Sequence, residues 1–90
     1  MNRDEALSAL RDELAKYRQR SYAELELLIG QDLGCLEVTA PSGKQYQIEI
    51  NVNRDSTGVR VDGGVDDGGW RAFLPLSEGF IMRPNGTILS

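Results

Sequence analysis

The residues of this chain best equipped for chemistry are Cys35, Lys44 and the carboxylates Asp62, Asp66 and Asp67, and they work without histidine, which the sequence lacks. That absence removes Ser-His-Asp and Cys-His nucleophilic catalysis, histidine metal ligation, and the side chain best matched to proton transfer near neutrality. Cys35 is the only cysteine and follows Gly34. No neighbouring base stands in the sequence to lower its pKa, so it reads as a small inert residue rather than a thiolate nucleophile. A lone thiol also gives neither a zinc cluster nor an intramolecular disulfide. Asp62, Asp66 and Asp67 lie among Gly63, Gly64, Gly68 and Gly69. Carboxylates on a glycine-rich loop suit a hard cation such as Ca²⁺. Their spacing is not that of an EF-hand loop, and Asp and Gly favour turns for backbone reasons alone. Turn formation is the preferred reading, and a small-molecule or divalent-metal site over 62–69 is the alternative. The glycine pairs lack the strand–loop–helix setting that aims N–H groups at phosphate. No residue is assigned as catalytic or as a metal ligand, and no cofactor is expected.

What remains is recognition. In Trp70-Arg71-Ala72-Phe73, alternation sends Trp70 inward and Arg71 and Phe73 outward. An exposed Phe beside an Arg is a composition found at protein interfaces. The plainer alternative is that a short helix or the C-terminal hairpin covers Phe73. Arg60 and Asp62 fall on the same outward parity, so Arg60, Asp62, Arg71 and Phe73 form the candidate binding set. The formal net charge of −4 opposes binding to phosphate backbones. The basic cluster Lys16, Arg18 and Arg20 is offset by Asp12, Glu13, Glu24 and Glu26 and reads as a solvated helix face. The expectation is a non-enzymatic protein-binding or regulatory module using its outer sheet face. An acidic inhibitor of a basic toxin is one concrete version. Neither nucleic acid nor membrane is an expected partner, and the chain is expected to be a monomer or a weak homodimer joined by a sheet edge.

These residues need a scaffold, and the hydrophobic period supplies it. Ninety residues suit one domain, 1–90, with a helical part at 1–30 and a sheet part at 31–90. Leu7, Leu10, Leu14 and Tyr17 make one helical stripe, and Asn2 followed by Glu5 fits a capping box. Ser21 followed by Glu24 announces a second start, and Gly30 a left-handed stop. Helices over 3–19 and 22–29 follow, or one continuous kinked helix. From Leu36 the period becomes two. Leu36, Val38 and Ala40, then Tyr46, Ile48, Ile50 and Val52, face the core around a Pro41-Ser42-Gly43 hairpin loop, which sets Val38 opposite Tyr46 and Leu36 opposite Ile48. Asn53-Arg54-Asp55-Ser56 reads as a turn. Beyond it Glu49 faces either Arg60, the charge-favoured register, or Asp62. Pairing Val65 with Trp70 then sets Val61 against Leu74. Asn85-Gly86 closes a last hairpin between 80–82 and 87–89. The fold class is α+β, with two N-terminal helices on one face of an antiparallel meander of about four to six strands.

Three stretches also resemble a family of small bacterial proteins of unknown function. They are Tyr17-Arg18 with Ser21-Tyr22, the run from Ser42 to Ile50, and Asp66-Asp67-Gly68-Gly69-Trp70-Arg71-Ala72-Phe73. The resemblance covers most of the chain and implies a bacterial, free-standing domain, with no activity, cofactor or site residue to carry over. The charged start, Met1-Asn2-Arg3-Asp4-Glu5, lacks the apolar stretch of a signal peptide. A cytoplasmic location is therefore expected.

Overall fold

The computed structural model describes residues 2–68 and 76–89. Two helices, α1 (Arg3–Arg18) and α2 (Tyr22–Leu28), precede β1 (Cys35–Thr39), β2 (Gln45–Asp55), β3 (Gly58–Asp66), β4 (Leu76–Met82) and β5 (Ile88–Leu89). The strands form one open antiparallel sheet in chain order, with both helices against one face. This is the α+β meander that the change of period near Gly30 requires. Among the described residues no helix is long and apolar enough to cross a membrane.

Local signals set the helix ends. Asn2 is extended and its side chain accepts the Glu5 N–H at 3.1 Å. Asp4 and Glu5 in the first turn and Lys16 and Arg18 in the last complement the helix dipole. At Ser21 the capping box is complete, with the Ser21 hydroxyl accepting the Glu24 N–H and the Glu24 carboxylate accepting the Ser21 N–H. That cap breaks the helix in two and rules out the continuous alternative. Gly30, at φ 76°, donates its N–H to the Val52 carbonyl and turns the chain toward the sheet.

The core joins the two layers. Ala6, Leu10 and Leu14 of α1 and Leu25 of α2 are buried over Tyr46, Ile48, Val52, Val59, Val61, Val65, Phe80 and Met82. Each large apolar side chain so buried contributes about 1.5–3 kcal/mol relative to exposure. Gly63 lets α1 come this close, since a Cβ there would lie 2.7 Å from Ile50 Cδ1 and 2.8 Å from Leu10 Cδ1.

The first hairpin has the expected register, with Leu36 opposite Ile48 and Val38 opposite Tyr46. Gly43, at φ 88°, donates to the Ala40 carbonyl, and Ala40 donates to the Lys44 carbonyl, each at 2.8 Å. The next hairpin departs from both expected registers. Glu49 faces Gly64, Asp62 faces Asn51 and Arg60 faces Asn53. β2 runs through Asn53 and Arg54 instead of turning there. Ser56-Thr57 makes the turn, and Asp55 holds it by accepting from both the Thr57 N–H and its hydroxyl. Gly58 is required at its exit because a Cβ would collide with the Met82 carbonyl.

The third pairing is corrected likewise. Val65 faces Leu76 and Val61 faces Phe80, so the β3–β4 connection is longer than a tight loop at 66–69. Of the expected alternation Trp70, Ala72, Leu74 and Leu76, only Leu76 falls within the described residues, and Arg71 and Phe73 lie outside them. The last hairpin pairs Met82 with Ile88 and Ile81 with Leu89, as the Asn85-Gly86 signal predicts.

Candidate functional site on the outer sheet face

Period-two alternation sends every second residue away from the helices. On β2 these are Gln45, Gln47, Glu49, Asn51 and Asn53, all exposed, while the residues between them as far as Val52 are buried. Among the described residues no helix packs over this outer face. β1 adds Glu37, β3 adds Arg60, Asp62 and Asp66, and β4 adds Ser77, Gly79 and Ile81.

Arg60 and Asp62 of the expected binding set therefore share the outer face, two positions apart on the central strand. A cleft of about 510 Å³ opens beside them and reaches Ser77, Gly79, Ile81 and Leu89. Gly79 explains the hollow. It faces Asp62 across the β3–β4 ladder, and a Cβ there would lie 2.6 Å from the Val61 carbonyl and 2.9 Å from Asp62 Cβ. Ile81 is half-buried, and Leu89 is exposed at the rim. Sequence reasoning missed this apolar side of the site. Gly79, a lone glycine inside a strand, was the signal available for it.

The face is acidic. Among the described strand residues it carries Glu37, Glu49, Asp55, Asp62 and Asp66 against the guanidinium of Arg60. Arg60 reaches Asp55 at 3.7 Å. The Asp55 carboxyl is held below its ordinary range, first by the hydroxyl and N–H of Thr57 and then by Arg60.

The Asp/Gly loop does not gather its carboxylates. Asp62 lies within β3, Asp66 accepts from the Gly68 N–H at 2.8 Å, and Asp67 pairs with Lys44 at 3.5 Å. Among the described residues no three acidic or thiol groups converge as a metal-ligand set. Cys35 is exposed on the edge strand. On the helical layer, Lys16 pairs with Glu13 and Arg20 with Glu24, while Arg18 lies over the Phe80 ring at 4.9 Å.

Long-range polar contacts tie the layers together, and none was visible in the sequence: Arg54 of β2 donates to Tyr22 and Glu26 of α2, and α1 is tied on both flanks. Arg11 makes a two-pronged bond to Glu78, at 2.8 and 2.6 Å. Glu78 occupies an inward position of β4, and the Arg11 fork holds its carboxyl below the usual range. On the other flank, Glu5 Oε1 accepts from Ser42 at 2.7 Å and from the buried Tyr46 hydroxyl at 2.9 Å. The Ser42 hydroxyl and then Tyr46 lower the Glu5 pKa. Burial, and then donation to Glu5, raise that of Tyr46. No family model, curated protein or solved structure matches the chain.

Proposed function

We propose that this chain is a non-catalytic binding module that captures a basic protein surface on its outer sheet face, around Arg60, Asp62, Ile81 and Leu89. The observation that carries the reading is a sheet with the centre of one face covered by helices and the other face left acidic, with an apolar hollow beside Asp62. Complementary charge speeds encounter and selects the partner's sign, while the Ile81–Leu89 hollow offers area to desolvate. Arg71 and Phe73, the other two residues of the expected binding set, lie outside the described residues. A cytoplasmic, bacterial setting is part of the same proposal.

The test is quantitative capture from lysate of the native host by the wild type, by Glu49→Lys/Asp62→Lys, and by Leu27→Lys on α2, an exposed position away from both the outer face and the β1 edge. The expected result is one basic polypeptide enriched in stoichiometric amount by the wild type and by the α2 variant. The outer-face variant, with an unchanged far-UV circular dichroism spectrum, loses it. Equal capture by all three, or enrichment of acidic partners only, overturns the reading.

A further inference from the structure

A second surface lies at the opposite edge of the sheet. β1 pairs only with β2, so among the described residues its other side is an open backbone edge. The hairpin closure fixes which groups are free. Ala40 bonds inward to Lys44, and in an antiparallel ladder bonded and non-bonded positions alternate. Val38 and Leu36 therefore bond to β2, while the N–H and C=O groups of Cys35, Glu37 and Thr39 point out to solvent.

Beside this edge runs a groove of about 570 Å³ between β1 and α1. Its floor is apolar, made by Ala9, Val38, Ala40 and Pro41, and its α1 wall carries Asp4, Glu5, Asp12 and Glu13. The cation in the lining, Lys16, is already paired with Glu13 at 2.7 Å. Leu36, on the floor side of the same strand, is 44 % exposed. Open edges are normally blunted or covered; among the described residues nothing covers this one, and Glu37 is its charged side chain.

We infer that β1 accepts an extended segment of a basic protein as an added strand, with its alternate apolar side chains seated in the groove and its lysines or arginines against the α1 carboxylates. Strand addition supplies main-chain hydrogen bonds for affinity and alternate pockets for specificity. The charge pattern decides the occupant. A second copy would bring its own acidic α1 wall, and two-fold pairing about the middle of β1 would set Glu37 against Glu37, which costs stability. The inference does not rest on the outer-face reading, which centres on Arg60, Asp62, Ile81 and Leu89 and shares only Glu37 with this edge.

The test is a ¹⁵N NMR titration of the full chain with a short capped peptide alternating lysine and valine. A glutamate–valine peptide and a proline-interrupted one are the controls. Shifts are expected at Glu37, Thr39, Ala9 and Asp12 with the basic peptide, and at none of them with the controls. Glu37→Pro removes an outward N–H that no ladder bond uses, so the fold should hold while binding is lost. Asp4→Lys/Asp12→Lys, on the exposed side of α1, should weaken binding about three- to tenfold and keeps the test decisive if the proline variant misfolds. Shifts confined to Glu49 and Asp62, no shifts at all, or full binding by Asp4→Lys/Asp12→Lys would overturn the inference. So would light scattering that shows a dimer converted to monomer by Glu37→Pro, since a second copy would then be the occupant.

Discussion

Val61 and Leu36 point to the same side of one sheet, yet Val61 is fully buried and Leu36 is 44 % exposed. The difference comes from where α1 lies. It runs over β3 and β4, seated by the missing side chain of Gly63, while β1 falls beyond its main contacts. Polar ties hold that placement from both flanks, Arg11 to Glu78 on the β4 side and Glu5 to Ser42 and Tyr46 on the hairpin side. Two helices totalling 23 residues cannot roof five strands, so the sheet has a dry centre and an open edge. Alternation says which face a strand residue takes, and the position of the helix says whether that face is covered.

The sharpest way to break this contrast is to shorten a side chain in each region. Leu10→Ala should cost about 2–5 kcal/mol in urea unfolding, the range for a core cavity. Leu36→Ala should cost under about 1 kcal/mol, because much of its surface already meets water. Equal losses would mean that β1 is roofed. Next in size is Gly63→Ala, whose methyl must displace Ile50 or Leu10, with about 1–3 kcal/mol expected by the same measurement.

A smaller effect is pH-dependent. The folded Glu5 carboxyl titrates below its ordinary value of 4.5. Its bonds to Ser42 and Tyr46 therefore add stability above that value, and the increment is lost as pH falls through the lowered folded pKa. Thermal melts should show Glu5→Gln below the wild type near neutral pH, with the gap closing in acid. A gap that persists at low pH would mean that the carboxylate charge is not what ties the flank. The smallest effect belongs to Glu78→Gln, which weakens the Arg11 fork. Its deficit should shrink in high salt, since the Arg11 side chain is largely in water.

Much of this arrangement is legible in the sequence, and the misses share one cause. Helix starts, the break at Ser21 and the Pro41-Ser42-Gly43 hairpin depend on neighbours in the chain, and each lies where local chemistry puts it. The two longer hairpins were misregistered by even numbers of residues. Glu49 meets Gly64 rather than Arg60 or Asp62, and Val65 meets Leu76 rather than Trp70. An even slip leaves every side chain on its correct face, so hydrophobic pattern cannot detect it. The observed register is the one that fits the Asp55–Thr57 turn and the close approach of Gly58 to Met82, neither of which a cross-strand charge pair reveals.

For the same reason Arg60 and Asp62 stand on the outer face as expected, although their cross-strand neighbours differ. The inward placement of Glu78, the Gly79 hollow and the uncovered edge at β1 depend on which elements meet across the fold. No local period carries that information.

The dry centre and open edge are tested most directly by residue-resolved hydrogen–deuterium exchange of the free protein. The account predicts that the amides of Val59, Val61 and Val65 are among the slowest in the chain, opening only with global unfolding. The amides of Glu37 and Thr39 should exchange at close to unprotected rates, while those of Leu36 and Val38 beside them are slowed by β2. Protection of Glu37 and Thr39 comparable to that of Val61 would contradict it, because the edge would then be covered.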